Sequence, residues 1–309
     1  MCNVGMVVAR RENLALLERT KLKRAEFVVF ERGDRESLRE YVSGRGIAFS
    51  AHCPLFIPGE YPENPLLACI IDIDEERRRR AVALVRETME DGAAMGAEYA
   101  VAHIQRPVHF SGDNLKGITA RDVMDVAGTS CAELADLSRE TGIPVLIENL
   151  FDNPLFHSAG SYLELLRDFP SLGFCLDIGH LGVDSRNFGF DFMEFVRLLA
   201  PHTRAAHLQN SNASEKGYRT RHWKAPVHPS QRPEDGWLDV PAIMRTLLES
   251  NIECRFNFEG WMDYYPSRET AIEGIRWASG LYEEIRNELM RKTEADADGR
   301  RGAATDSSA

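Results

Sequence analysis

The sequence has 309 residues, of which 43% are hydrophobic and 28% charged, the composition of a globular chain with a sizeable core. Its formal net charge of -11 excludes a general basic surface for nucleic acid, although a local basic groove remains possible. The six cysteines include no CxxC pair and indicate a reducing compartment. The N-terminus does not have a signal-peptide pattern, and no apolar run is long enough for a membrane span. We therefore expect a cytoplasmic protein with no membrane partner.

Strand-like and helix-like segments alternate along the sequence. Short apolar and β-branched runs predict eight strands, at residues 3–8, 25–30, 47–52, 99–104, 144–149, 173–177, 203–208 and 253–258. Apolar residues at helical spacing predict eight helices, at residues 14–22, 35–43, 75–95, 120–141, 161–168, 191–199, 240–249 and 268–292. The proline-rich segment 53–74 and the polar segment 209–239 form long loops, which in a compact domain are usually functional.

Eight strand–helix units within residues 1–292 have the size of a single α/β domain, a (β/α)8 TIM barrel with parallel strands. An open doubly wound sheet is the alternative. It calls for a glycine-rich phosphate turn after the first strand, and the sequence has none there. Residues 293–309 are rich in Ala, Asp, Gly and Ser and are predicted to form a disordered C-terminal tail.

The fifth to eighth strands each end in a residue that can bind a metal: Glu148, Asp177, His207 and Glu259. In a closed barrel these positions are neighbours on the rim that carries catalytic groups. Converging carboxylates would raise one another's pKa, and a divalent cation would relieve that repulsion by binding them. Mixed carboxylate and imidazole ligands favour Mn, Zn, Co or Fe(II), with Mg less favoured. The alternative is that each residue is an isolated polar strand end with hydrogen bonds of its own.

His52 and His103 end the third and fourth predicted strands. They could bind a second metal beside Glu148 or bind substrate hydroxyls. The alternative for each is a structural histidine whose hydrogen bonds are satisfied.

Three further histidines lie in predicted loops. His180 follows Asp177 by three residues, above the sixth strand, where it could reach a substrate or an additional metal. His222 and His228 lie in the long loop 209–239 and are candidates for the same roles.

Several of these segments together resemble one known group of barrels. They are VLIEN at 145–149, LDIGH at 176–180, AHL at 206–208, the HP and DGWLD stretches within 228–239, and FE at 258–259. They resemble the xylose isomerase-like TIM barrel superfamily, from about the second strand to the last helix. This superfamily contains sugar-phosphate isomerases and epimerases and also the endonuclease IV family of abasic-site nucleases. The resemblance implies the barrel fold and a divalent metal, but it does not decide between these reactions.

The resemblance also implies roles for single residues. The metal ligands common to both branches would be Glu148, Asp177, His207 and Glu259. The nuclease branch binds extra zinc ions at the positions of His52, His103 and His180, whereas in the isomerase branch His180 would contact the substrate.

One departure weakens the resemblance to the nuclease branch, which has an Asp-x-His pair in the seventh loop for a third zinc. The nearest triplets here are Thr220-Arg-His222 and Pro226-Val-His228, and neither contains the aspartate. Threonine and proline are poor or impossible substitutes for a carboxylate ligand.

The first hypothesis is a metal-dependent isomerase or epimerase of a small sugar or sugar phosphate. The metal would bind two adjacent oxygens of an α-hydroxy carbonyl, and Glu148 and Glu259 would move a proton to and from carbon. His180 and a loop cation would hold hydroxyls or a phosphate, and the candidate cations are Lys216, Arg219 and Arg221. The proline-rich loop at 54–65 and Trp223, Trp237 or Trp261 would cover the substrate and exclude water.

Two other functions stay open. One is a zinc phosphodiesterase of the endonuclease IV type acting on abasic DNA, with Glu148 bridging two zinc ions. The other is a barrel that binds a sugar or a metal without catalysis. Nucleic acid is a partner only under the phosphodiesterase hypothesis. Otherwise the partner is a small sugar or polyol, and a homo-oligomer is an open possibility.

Overall fold

Eight parallel strands close into a barrel in the computed structural model, which describes residues 2–62, 64–104, 117–212, 224–260 and 262–305. The strands are β1 (Val4–Ala9), β2 (Arg24–Val28), β3 (Ala48–His52), β4 (Ala100–Ile104), β5 (Val145–Asn149), β6 (Gly173–Asp177), β7 (Thr203–Leu208) and β8 (Arg255–Phe258). Each strand pairs with the next and β8 pairs with β1, so the sheet has no free edge. The predicted (β/α)8 TIM barrel of the α/β class is confirmed.

Helices cover the outside of the barrel. In the described residues they are α1 (Leu14–Thr20), α2 (Arg35–Arg45), α3 (Glu75–Met95), α4 (Ala120–Thr141), α5 (Ala159–Asp168), α6 (Ile178–Phe188), α7 (Phe192–Leu199), α8 (Val240–Ser250) and α9 (Arg268–Thr305). Their apolar faces are buried, as Leu134 of α4 and Leu247 of α8 illustrate. Within the described residues, no helix combines the length and the apolar character needed to cross a membrane.

Helix α6 was not predicted, and it corrects the expectation that His180 lies on a loop. The helix starts directly after β6, and the Asp177 side chain caps it by accepting a hydrogen bond from the His180 amide at 2.7 Å. Gly179 and Gly182 lower the helix propensity of this segment, which hid the helix in the sequence. Gly179 serves packing instead, because a Cβ there would lie 2.6 Å from Cγ of Gln209.

Helix α9 extends to Thr305, so the backbone of residues 293–305 is helical where the sequence predicts disorder. The Ala, Glu and Arg residues of this segment favour a helical backbone, whereas Gly299 and Gly302 disfavour it. Side chains 291–295 are exposed. That the segment after residue 292 contributes nothing to barrel stability stays a prediction.

The inside of the barrel changes from apolar to polar along the strands. Four members of a buried apolar cluster, Val101, Leu146, Cys175 and Ala205, lie on β4 to β7. Two residues further along each strand, on the same face, come His103, Glu148, Asp177 and His207. The register places His103 beside Glu148 and Asp177 beside His207. The polar residues thus form a layer at the C-terminal rim, on top of an apolar layer.

Candidate metal centre

Four side chains at the ends of β5 to β8 converge, and we call them the ligand cluster: Glu148, Asp177, His207 and Glu259. One ligand atom from each lies within 4.8 Å of the others. Nδ1 of His207 lies 3.3 Å from Oε1 of Glu148, 3.8 Å from Oδ2 of Asp177 and 2.9 Å from Oε2 of Glu259. The convergence expected from consecutive strand ends is therefore present.

Three atoms of the ligand cluster have no hydrogen-bond partner among the described residues, although each is buried. They are Oε1 of Glu148, Nδ1 of His207 and Oε2 of Glu259. They lie close to one another, but none of them makes a hydrogen bond of acceptable geometry with a described residue. A buried polar atom without a hydrogen bond costs about 1–3 kcal/mol. A cation at their common centre would satisfy all three, and the mixed carboxylate and imidazole donors suit a divalent transition metal. The side chains therefore fit a metal ion.

Charge in the ligand cluster is unbalanced without a cation. Burial raises the pKa of the Asp177 carboxyl to about 6. Burial on its own lowers the pKa of His207. The surrounding acidic groups outweigh burial and raise that pKa well above its usual value. These groups are Cys175, Glu148, Glu26 and Glu259. A divalent cation would take the place of the proton on Nδ1 and remove the repulsion between the carboxylates.

Neighbouring side chains hold Asp177 in place. Nε2 of Gln209 donates to Oδ2 of Asp177. The Asn149 amide group bridges β5 and β6, since its Nδ2 donates to the Asp177 carbonyl at 3.0 Å and its Oδ1 accepts from the Asp177 amide at 2.9 Å. The carboxylate is thus oriented before any ion arrives.

The two oxygens of Glu148 face different partners. Oε1 faces the ligand cluster, whereas Oε2 lies 3.2 Å from Nε2 of His52 and 3.1 Å from Nε2 of His103. Nδ1 of His52 donates to the Cys53 carbonyl at 3.1 Å, which fixes Nε2 toward Glu148. Ligand atoms of His52, His103 and Glu148 lie within 4.8 Å of one another, so a second cation could bind there.

His180 lies beside the ligand cluster. Its Nδ1 is 3.1 Å from the Asn149 carbonyl and 3.4 Å from both Oε1 of Glu148 and Oδ2 of Asp177. A carbonyl only accepts, so Nδ1 carries a proton and is engaged with the fold. The ring also packs on Phe151 at 5.1 Å between centroids. The ring of His180 is therefore held between the ligand cluster and Phe151.

One further candidate from the sequence, His228, lies away from the ligand cluster. It contacts Ser230, Tyr265 and Glu273, and none of these residues belongs to the cluster. The other candidates, Lys216, Arg219, Arg221, His222, Trp223 and Trp261, lie outside the described residues.

A cavity of about 860 Å³ opens beside the ligand cluster. Its polar lining includes His52, His103, His180, Lys224 and Glu259. The sequence analysis did not identify Lys224, which does not lie at the end of a strand. Its Nζ lies 2.8 Å from Oε1 of Glu259, so it neutralises the carboxylate oxygen that faces away from His207.

The model of one protein family, the xylose isomerase-like TIM barrel, matches residues 16–281 of the chain. The chain belongs to the xylose isomerase-like TIM barrel family. The resemblance noted from the sequence motifs is thus confirmed, whereas no curated protein matches the chain significantly.

Solved structures of low sequence identity share this fold. A D-tagatose 3-epimerase-like protein has a TM-score of 0.70 and 16% identity, with 93% of this chain and 99% of that chain covered. 3-Keto-D-glucoside 4-epimerase from E. coli has a TM-score of 0.67 and 14% identity, with 90% and 99% covered. IolI with a bound zinc atom has a TM-score of 0.66 and 16% identity, with 92% and 98% covered.

This xylose isomerase-like barrel contains a buried carboxylate that the sequence analysis missed. Glu26 extends from β2 into the barrel, where Oε1 accepts a hydrogen bond from Nε2 of His207 at 2.7 Å. Oε2 accepts from Oγ of Ser50 at 2.8 Å and from Nδ2 of Asn257 at 2.9 Å. The bond to His207 keeps a proton on Nε2 and turns Nδ1 toward the cluster. Carboxylates that hold metal-binding histidines in this way fix the ring and raise its basicity.

Glu26→Gln should weaken metal binding by about tenfold to a hundredfold, the usual cost of losing such a partner. A glutamine amide turned toward His207 would donate to Nε2 and force the proton onto Nδ1, the nitrogen that faces the cluster. Titration with a divalent metal and a competing chelator measures the effect. Ser50→Ala removes a donor to Oε2 but leaves the His207 contact, so it should weaken binding less. Equal affinities for wild type and Glu26→Gln would contradict this role.

Asp184, a buried acid on α6, should make the stability of this family member depend on pH. Oδ1 of Asp184 on α6 accepts a hydrogen bond from the Asp152 amide at 2.6 Å, and Asp152 lines the cavity. Burial raises the pKa of Asp184 from 3.8 to about 7. Between these values the folded protein binds more protons than the unfolded chain. The free energy of unfolding should therefore fall as pH rises through this window, by at most about 4 kcal/mol.

Asp184→Asn keeps the acceptor and removes the ionisation. We expect this variant to be more stable than wild type at pH 8 and of similar stability near pH 4. Denaturant unfolding at both pH values measures the difference. If wild type and Asp184→Asn differed in the free energy of unfolding by the same amount at both pH values, Asp184 would not titrate in this way.

Proposed function

We propose that this protein is a divalent-metal-dependent isomerase or epimerase of a small keto sugar or sugar phosphate. The observation that carries the proposal is the convergence of four ligand atoms, three of which are buried and make no hydrogen bond with the described residues. Two similar structures support the reaction class by their names, one an epimerase and one epimerase-like. The zinc atom in IolI supports the metal.

Glu259 is the proposed general base. When bound, the metal would polarise the carbonyl of an α-hydroxy ketone and acidify the neighbouring C–H bond. Glu259 belongs to the ligand cluster and also lines the cavity, so it borders both the ion and the substrate. Burial raises its pKa, but Lys224 and His207 outweigh burial and hold the pKa well below its usual value. The carboxylate is therefore ionised at neutral pH, as a base must be.

Glu148 and His180 complete the proposed acid–base set. Glu148 supplies the second carboxylate and would return the proton, although its side chain is completely buried and does not line the cavity. His180 lines the cavity with its Nδ1 held by the Asn149 carbonyl. We assign it the binding of a substrate hydroxyl. Lys224 keeps Glu259 oriented and charged through its contact with Oε1.

Exchange of a carbon-bound proton with solvent tests the proposal. Metal-loaded protein should incorporate deuterium from D2O at the carbon beside the carbonyl of a ketose. Because exchange needs only removal and return of a proton, even a slow substrate should show it. A chelator should abolish the exchange, and added metal should restore it. No exchange with a panel of ketopentoses, ketohexoses and their phosphates would contradict the proposal.

A zinc phosphodiesterase is the second candidate, because His52, His103 and Glu148 could hold another cation that shares Glu148 with the ligand cluster. The net charge of -11 and the position of His228 do not favour it. It predicts metal-dependent nicking of an oligonucleotide with one abasic site, and no deuterium exchange. Metal binding without either activity would leave the non-catalytic barrel.

A further inference from the structure

We propose that the cavity takes a sugar that carries an apolar substituent, such as the alkyl or aryl group of a glycoside. The substituent would lie in an apolar subsite formed by Leu16, Val28, Val29, Leu66, Leu67 and Met262. This inference rests on the proposed function, because it assigns the sugar ring to the ligand cluster. A glycoside has no free anomeric carbonyl, so the exchanging carbon would lie beside a keto group elsewhere on the ring.

The cavity is large for a free monosaccharide. Its volume of about 860 Å³ lies in the upper part of the range of about 300–1,000 Å³ found for pockets that enclose drug-sized ligands. A monosaccharide is smaller than such ligands and would leave much of this space to water. A sugar with an attached alkyl or aryl group would fill more of the cavity.

The cavity lining combines polar and apolar side chains. The polar residues next to the ligand cluster are His52, His103, His180, Lys224 and Glu259. The subsite residues are aliphatic or thioether side chains from α1, from the end of β2 and from the segments after β3 and β8. A free sugar carries hydroxyls on nearly every carbon, and those facing the subsite would lose hydrogen bonds to water without replacement. An alkyl or aryl group gains free energy in the same place.

The polar groups around the subsite already have partners within the protein. Nδ2 of Asn13 donates to the Ala9 carbonyl, and Nε of Arg268 donates to Asp263 at 3.0 Å. These groups line the cavity. Their existing bonds reduce what they could offer to sugar hydroxyls.

Two leucines of the subsite are more exposed than their chemistry favours. Leu66 and Leu67 are 37% and 40% exposed and follow Pro65 in one 3-10 turn. Oδ1 of Asn64 accepts from the Leu66 amide at 3.1 Å and fixes the start of the turn. An ordered turn that presents adjacent leucines to a cavity is suited to cover an apolar ligand.

Val29, another residue of the subsite, has a strained backbone. Its φ is +52°, a region that β-branched residues rarely occupy, and such strain costs about 1–3 kcal/mol. The Val29 amide donates to the Pro54 carbonyl at 2.8 Å, which helps to hold the strained backbone. The strained residue lines the cavity. Strain of this kind concentrates at ligand sites.

Calorimetric titration of the metal-loaded protein with methyl and hexyl glucosides, in both anomers, tests the subsite. We expect one hexyl anomer to bind at least tenfold more tightly than its methyl counterpart. Leu67→Asn should remove most of this preference. Leu198→Asn is the matched control, because Leu198 is 45% exposed on α7 and does not line the cavity. It should keep the preference.

Each contrary result has its own meaning. Equal binding of methyl and hexyl glucosides, or binding of neither while ketoses still exchange deuterium, would overturn the subsite and leave the proposed function intact. A hexyl preference unchanged in both Leu67→Asn and Leu66→Asn would also overturn it. Metal-loaded protein that neither binds a sugar nor exchanges deuterium would overturn the proposed function together with the subsite.

Discussion

Glu259→Gln should lower deuterium exchange into a ketose by roughly a hundredfold to ten-thousandfold, the usual contribution of a general acid or base. Glutamine keeps an oxygen near the ligand cluster but cannot accept the proton from carbon. Metal binding should therefore fall by much less than exchange. Mass spectrometry of the recovered ketose and chelator competition for the metal measure the two effects separately.

Glu253→Gln is the control for this variant. Glu253 lies just before β8, at the opposite end of the strand from Glu259, and its side chain is 66% exposed. The same chemical change there should leave exchange unaffected. Exchange that survives in Glu259→Gln, or that falls only in proportion to bound metal, would remove Glu259 from the role of base.

His207→Ala and Asp177→Ala should each lose bound metal while the barrel still folds. Each removes a proposed metal ligand, so affinity should fall by more than the tenfold to hundredfold typical of an outer partner. Without His207, the carboxylates of Glu148, Asp177 and Glu259 also face one another with no cation between them. Metal analysis after gel filtration gives the occupancy, and circular dichroism reports the fold.

His228→Ala is the matched control, because His228 contacts Ser230 and Tyr265 outside the ligand cluster. It should keep full occupancy. Full occupancy in His207→Ala and Asp177→Ala as well would mean that the metal binds elsewhere.

The ligand cluster was predictable because parallel strands of a closed barrel all end at one rim. Glu148, Asp177 and His207 each end an apolar run, and that local signal gives both the strand and its functional end. Glu259, one residue after β8, follows the same rule. In such a fold, sequence order along the chain is also spatial order around the rim, so no long-range contact had to be guessed.

Glu26, Lys224 and helix α6 were missed for different reasons. Glu26 is a lone acid inside an apolar run, which is a usable signal, but its partners Ser50, His207 and Asn257 come together only when the barrel closes. Lys224 reaches Glu259 from an irregular segment with no periodic pattern. Helix α6 contains glycines that pack closely against Gln209 and Ser211, just after β7, and their low helix propensity hid the helix.

The metal content of the purified wild-type protein tests the central claim most directly. After reconstitution with a divalent metal and removal of the excess, elemental analysis should give one tightly bound ion per chain. The same preparation should exchange deuterium in proportion to its occupancy. No bound ion after reconstitution would contradict a metal centre at Glu148, Asp177, His207 and Glu259. Two or three ions per chain, with nicking of abasic DNA, would contradict the isomerase and favour the phosphodiesterase.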